Sequence, residues 1–152
     1  MRPHGGRIVW VSSSSGLGGL PTWSAYAASK WGVEGFAESL AFEVGPHGID
    51  VALVEPGAFP TGIWRDGSWH GDPDGPYAAL AEAMADADRK AAELGGDPMV
   101  VARVVAGCFS GGLVGGRPWT RRPVGRGAWL RWAARGVVPF GVQRRIVARM
   151  LG

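Results

Sequence analysis

The sequence of 152 residues predicts an α/β fold, built as part of a doubly wound parallel sheet of roughly three strands with flanking helices. Three observations predict it. An apolar run at Arg7–Val11, an amphipathic segment and a second apolar run at Ile49–Glu55 follow one another at the spacing of a βαβ unit. A further run, Trp119–Val124, can form a short last strand. Open α/β sheets bind ligands at the carboxyl ends of their strands, so functional residues are expected there.

The first half of the chain gives the clearest element predictions. Arg7–Val11 is uncharged after its first residue, which indicates a strand buried on both faces. The Ser- and Gly-rich stretch that follows favours a turn. A helix is predicted from Ser24, as N-cap, to Val44, and Gly45-Pro46 closes it. Its apolar face is spaced at helical intervals and consists of Val33, Phe36, Ala37, Leu40 and Val44.

The second half is predicted to be mostly helical. After a loop to about Gly75, helices are expected at Pro76–Leu94 and at Pro98–Phe109, the latter capped by Asp97. Ala128–Arg135 and Val142–Leu151 are predicted as short basic amphipathic helices. The expected organisation is therefore a domain over residues 1–125 followed by a basic helical tail over residues 126–152.

Charge is distributed unevenly along the chain. All thirteen acidic residues lie in residues 1–97, whereas residues 98–152 contain ten arginines and no acid. Such asymmetry can indicate nucleic-acid or membrane surfaces. No stacking platform or groove-reading motif accompanies the charge, so nucleic acid is not expected. Trp129 and Trp132 beside Arg131 and Arg135 keep membrane-surface binding open as an alternative.

Other compositional features restrict the class of protein. The single cysteine fits a reducing compartment, so a cytoplasmic location is expected. Three scattered histidines and one cysteine offer no ligand cluster, so no metal site is predicted. No signal peptide and no run of eighteen apolar residues are seen, so no spanning helix is expected.

The chemistry centres on Tyr26 and Lys30. Positions i and i+4 of a helix lie on one face, so these side chains should project together. A phenol is a poor acid or base at neutral pH, and a neighbouring ammonium group favours its ionised form. The pair could therefore exchange a proton with an alcohol or a carbonyl. Ser13, at the end of the first strand, could hold the substrate oxygen by a hydrogen bond.

Hydride chemistry at such a site requires a cofactor, because no side chain carries a hydride. The Pro56-Gly57 turn after the second strand could offer backbone groups to a nicotinamide amide, and the Thr61 hydroxyl could reach a phosphate. Gly16-Leu-Gly18 mimics a dinucleotide-binding loop, but Pro21 stands where the third glycine is needed. That stretch is therefore not predicted to cradle a phosphate.

Together, Ser13, the Tyr26-x-x-x-Lys30 pair and Pro56-Gly57-x-x-x-Thr61 resemble the short-chain dehydrogenase/reductase family. The resemblance is strong over residues 6–62 and looser to about residue 125. It implies a Rossmann-type sheet, a cofactor that is NAD or NADP, and reversible oxidation of a small alcohol to a ketone. It also implies that Tyr26 is the acid/base, that Lys30 assists it and binds the nicotinamide ribose, and that Ser13 orients the substrate. Trp64 and Trp69 fall where that family has its substrate loop.

The sequence also departs from the family pattern. Only twelve residues precede Ser13. The four earlier strands of the family's sheet, and the Gly-rich pyrophosphate loop that follows the first of them, therefore have no counterpart here. The catalytic Asn of the family has no counterpart either. Two alternatives to an active oxidoreductase therefore stay open, an inactive truncated fragment without cofactor binding and a non-catalytic surface-binding module. A truncated sheet would leave Arg7–Val11 at an edge, so self-association is expected.

Overall fold

The computed structural model describes residues 1–62, 72–110 and 119–151. The strands and α-helices, in chain order, are β1 (Gly6–Val11), α1 (Ser24–Val44), β2 (Ile49–Pro56), α2 (Ala78–Glu93), α3 (Met99–Phe109), β3 (Trp119–Val124), α4 (Ala128–Ala134) and α5 (Phe140–Leu151). Two 3-10 turns at Ser14–Gly16 and Gly45–His47 flank α1. No helix within the described residues is both long and apolar enough to cross a membrane.

The three strands form one parallel sheet in the order β1-β2-β3. Val9 of β1 is opposite Ala52 of β2, and Leu53 of β2 is opposite Arg121 of β3. The central strand β2 is buried at every residue except Asp50 and Pro56, as a run apolar on both faces predicts. The predicted α/β class with a parallel, doubly wound sheet is confirmed.

Helices cover both faces of this sheet. On one face, Val51 and Leu53 pack with Ala37 and Ala41 of α1. On the other face, a second cluster combines β2, β3 and α3; its buried members are Ala52, Val54, Phe59, Cys108 and Val124. Alternate residues of β2 thus serve opposite layers, because successive side chains of a strand point to opposite faces.

Two expectations about the first half require correction. Arg7–Val11 is half-buried rather than buried on both faces, and Val11 is 48% exposed. The reason is position, since β1 has only β2 as a neighbour among the described strands. Phe36, predicted on the buried face of α1, is 54% exposed, although its ring packs edge-on against Trp10 at 5.2 Å.

The N-cap prediction for α1 is also wrong by one residue. Ser24 is the first helical residue and Trp23 is the N-cap, without a side-chain capping hydrogen bond. Trp23 instead accepts a hydrogen bond at its backbone oxygen from Ala27 N at 2.8 Å, and its ring packs edge-on against Tyr26 at 5.0 Å. Packing of the aromatic pair therefore replaces polar capping where α1 begins.

Candidate active site

Ser13 lies immediately after β1, where the chain turns away from the sheet. Its backbone is extended, and its side-chain oxygen accepts a hydrogen bond from Ser15 N at 3.1 Å. That bond uses a lone pair of Oγ and leaves the hydroxyl group as a donor. Ser12 N donates to Val54 O at 2.8 Å, which ties the start of the turn to the end of β2.

Tyr26 and Lys30 occupy the first two turns of α1 and lie together. Lys30 Nζ is 5.7 Å from the centroid of the Tyr26 ring, within the range of a cation–π contact. The same ammonium group donates to Val11 O at 3.4 Å, so it spans from the helix to the end of β1. The i, i+4 spacing thus places a cation beside the phenol at the carboxyl edge of the sheet.

Pro56, Gly57 and Thr61 follow β2 at the same edge. Gly57 N donates to Val124 O at 2.8 Å, so this N–H is engaged within the fold and is not available to a ligand. A Cβ added at Gly57 would lie 3.1 Å from Arg126 O, which explains the need for a small residue. Thr61 is exposed.

The six candidate site residues from the sequence all line one cavity of about 760 Å³. They are Ser13, Tyr26, Lys30, Pro56, Gly57 and Thr61. The predicted residues are therefore brought together in space. Trp64 and Trp69, the predicted substrate-loop residues, lie outside the described residues.

The structure adds lining residues that sequence reasoning did not select. They come from the segment before α1 and from the helices of the second half, and include Leu20, Trp23, Met84, Asp88, Arg131 and Val147. Arg131 was grouped with the basic tail by the sequence reasoning. Nothing in its local sequence distinguishes it from the other arginines, because only packing brings α4 against the turn at residues 14–16.

A cluster of charged side chains is buried beside the cavity. Arg121 of β3 forms ion pairs with Glu34 and Glu38 of α1 and with Glu55 of β2. The side chains of Glu34 and Glu55 are 2% and 0% exposed, and that of Arg121 is 11% exposed. Arg135 adds a weaker contact, 3.7 Å from both Glu34 and Glu38. One guanidinium group thus joins three elements of the fold.

The surroundings of Glu55 disfavour the ionised form of its side chain. Burial, with repulsion from Glu34 as a second cause, raises the pKa of Glu55 to about 7, although Arg121 opposes the shift. The cluster therefore holds a proton that exchanges near neutral pH.

The cluster lies directly under the candidate site. Glu34 is one turn beyond Lys30, and Glu55 precedes the Pro56-Gly57 turn. Gly16 packs on Glu34 so closely that a Cβ at Gly16 would lie 2.9 Å from Glu34 Cγ. The serine turn, the N-terminal part of α1 and the end of β2 therefore all lie around these carboxylates.

Comparison with known proteins agrees with this geometry. A model of the short chain dehydrogenase family matches residues 1–69. The uncharacterized oxidoreductase YusZ of Bacillus subtilis is 35% identical over 157 residues, covering 99% of this chain and 55% of that protein. Over the residues of the candidate site, the chain thus matches the short-chain dehydrogenase/reductase family. The family resemblance predicted from the site residues is confirmed.

Solved short-chain dehydrogenases have the same fold. One from Streptomyces avermitilis superposes with a TM-score of 0.60 at 26% identity, over 95% of this chain and 48% of its own. One from Mycobacterium paratuberculosis, solved bound to NAD, has a TM-score of 0.56 at 26% identity, over 82% of this chain and 45% of its own. The chain therefore spans about half the length of the short-chain dehydrogenases that it matches.

Replacing Arg121 by methionine should destabilise the fold by about 3–5 kcal/mol, because Glu34 and Glu55 would stay buried without their main cation. Chemical denaturation at neutral pH measures the loss. Arg122→Met, the next residue of β3 and not part of the cluster, is the matched control and should cost less. An equal loss in both variants would contradict a special role for Arg121.

Glu55→Gln should remove part of the pH dependence of stability. The folded chain keeps the Glu55 proton to about pH 7, whereas the unfolded chain releases it near 4.5. The folded state binds more protons between these values, so the free energy of unfolding falls as pH rises, by at most about 1.4 kcal/mol per pH unit. Glu55→Gln should flatten that slope.

Denaturation curves between pH 5 and pH 8 test this on wild type, Glu55→Gln and the exposed control Glu43→Gln. Glu43→Gln should keep the wild-type slope. Identical slopes in all three proteins would show that Glu55 does not hold the proton.

Proposed function

We propose that this chain carries the catalytic half of an oxidoreductase that transfers a hydride between a nicotinamide cofactor and an alcohol or ketone. The observation that supports it is that Ser13, Tyr26, Lys30 and the Pro56-Gly57 turn all line one cavity. The match of residues 1–69 to the short chain dehydrogenase family supports the same reaction class.

In the direction of oxidation, the Ser13 hydroxyl donates a hydrogen bond to the substrate oxygen and orients it. The ionised Tyr26 oxygen accepts the proton of the substrate hydroxyl while the carbon–hydrogen bond breaks, and the C–O bond becomes a carbonyl. The nearby Lys30 ammonium stabilises negative charge on the phenol. In reduction, Tyr26 returns that proton to the carbonyl oxygen.

The cavity suits the nicotinamide end of a cofactor, which accepts or supplies the hydride when bound. Lys30 would hold the ribose, the Pro56-Gly57 turn would face the nicotinamide, and the Thr61 hydroxyl would face a phosphate. Because the Gly57 N–H is already bonded to Val124 O, the turn would contribute groups other than this donor. The proposal covers NAD and NADP alike.

The remaining parts of the proposal concern the setting of the reaction. The substrate would be a small-molecule alcohol or ketone and the location the cytoplasm. The division into a domain at 1–125 and a tail at 126–152 stays a prediction, as does the absence of a nucleic-acid partner.

We further propose that the isolated 152-residue chain self-associates through β1. Val11 is 48% exposed and β1 pairs on one side only among the described strands. Free strand edges pair readily with other chains.

Replacing Tyr26 by phenylalanine should lower turnover by at least about 100-fold, since it removes only the proton-carrying oxygen. The measurement uses a chimaera in which the preceding half of the Bacillus subtilis relative is joined to residues 1–152. The exposed Tyr77 is the other tyrosine of the chain, so Tyr77→Phe is the matched control and should keep full activity. Retention of more than a tenth of the rate by Tyr26→Phe would rule out Tyr26 as the acid/base.

Size-exclusion chromatography with light scattering tests whether the chain self-associates through the edge of β1. The wild-type chain should elute as oligomers, and Val11→Lys should shift it towards monomer because a charged side chain at a strand edge discourages pairing. A monomeric wild-type chain would refute association through β1.

A further inference from the structure

The cavity contains a pair of opposite charges that the proposed proton transfer does not use. Arg131 of α4 and Asp88 of α2 both line it and attract each other electrostatically. The same lining includes a set of apolar side chains, namely Leu20, Met84, Ala87, Ala91, Val101 and Val147. Charged groups are costly in such surroundings unless a partner compensates them.

The guanidinium group of Arg131 is incompletely satisfied. Within the described residues it donates one hydrogen bond, to Ser14 O at 3.5 Å, the outer limit of useful length. A guanidinium group has five N–H donors in a planar fork that matches a carboxylate. Burial lowers the pKa of Arg131, and attraction to Asp88 opposes this. The donors therefore face a space that an acceptor group of a ligand could fill.

Asp88 shows the same shortage on the acceptor side. Its Oδ2 atom is buried and, among the described residues, has no hydrogen-bond partner. Burial raises the pKa of Asp88, while a hydrogen bond from the Trp23 side chain and attraction to Arg131 lower it. A salt bridge of good geometry would satisfy Arg131 and Asp88 together. Arg131 has one long hydrogen bond and Asp88 has a buried oxygen without a partner among the described residues, so the two do not fully compensate each other.

Arg131 and Asp88 are linked by contacts to the segments that contain Ser13 and Tyr26. Ser14, its acceptor, is adjacent in sequence to Ser13, and Trp23, which contacts Asp88, packs on the Tyr26 ring. A carboxylate bound by Arg131 would therefore lie in the same cavity as a carbon held by Ser13 and Tyr26. An apolar remainder of the same molecule would lie along Met84 and Val147.

We propose that Arg131 is a specificity-determining residue that binds the carboxylate of an apolar hydroxy acid or oxo acid, with the reacting carbon close to that carboxylate. The inference rests on the proposed function and names its substrate class. Asp88 competes for the guanidinium group and weakens the hold on the acid.

Calorimetric titration of the 152-residue chain tests the inference without catalysis. The probes are 3-hydroxyoctanoate and its methyl ester, which share the chain and the hydroxyl group but differ in charge. Wild type should bind the acid about 10- to 100-fold more tightly than the ester, the size of a charge-assisted hydrogen-bonded pair. Arg131→Gln should remove that preference by weakening the acid and leaving the ester unchanged.

Two further variants keep the test decisive. Arg144→Gln removes the same charge from an exposed position of α5 and should keep the wild-type preference. Asp88→Asn should bind the acid more tightly than wild type, because it removes the competing carboxylate. If Arg131 and Asp88 formed a structural pair only, Asp88→Asn would lower the melting temperature and would not improve binding of the acid.

The inference is overturned if wild type shows no preference for the acid, if Arg131→Gln keeps it, or if Asp88→Asn weakens binding of the acid. Tyr26→Phe should change the affinities for the acid and the ester by the same factor and keep the preference for the acid, since both probes have the hydroxyl group that Tyr26 would contact. Failure of the carboxylate site would thus be seen in binding, whereas failure of the proposed reaction would be seen in the turnover of the chimaera.

Discussion

The ion pairs between Arg121 and the carboxylates of Glu34, Glu38 and Glu55 are the constraint on which the rest of this structure depends. They join α1, β2 and β3, with Arg121 in the middle of β3 and Glu55 next to the last residue of β2. A buried charge is tolerated only with its partners in place, so the three elements must assemble together. Lys30 is one turn before Glu34, and the Pro56-Gly57 turn follows Glu55. The cluster therefore fixes the position of α1, which contains Tyr26 and Lys30, relative to the Pro56-Gly57 turn.

The same assembly explains much of the uneven charge of the chain. Arg121 and Arg135 come from the basic second half and pair with acids of the first half. Arg131 and Asp88 likewise line the same cavity and attract each other. Some arginines of the basic second half therefore interact inside the fold with acidic residues that are distant in the sequence. An excess of arginine in one stretch of sequence does not by itself describe the charge of a surface.

The sheet shows how a chain about half the length of its relatives can still contain an organised site. β2 lies between β1 and β3 and is buried, and helices pack on both of its faces. The serine turn, the start of α1 and the turn after β2 all belong to this central unit. The candidate proton-transfer groups therefore all lie on neighbouring elements of this unit. β1 pairs on one side only among the described strands, and its Val11 is exposed.

The sequence by itself determined the elements and the candidate catalytic groups. Strand and helix periodicities are local, so β2, α1 and β3 could be predicted within a residue or two, and helical spacing was enough to place Lys30 beside Tyr26. The serine after β1 and the turn after β2 could be placed at one edge because parallel strands share their carboxyl ends.

The tertiary structure alone decided which distant residues complete the site. The meeting of Arg121 with Glu34 and Glu55, and of Arg131 with Asp88, depends on how helices and strands far apart in the chain pack against one another. A charged residue carries no local signal of its partner, because Coulomb attraction depends on distance in space and on burial, not on separation in sequence. The half-exposure of β1 has the same origin, since its apolar run is that of an interior strand and only the strand order leaves it at an edge.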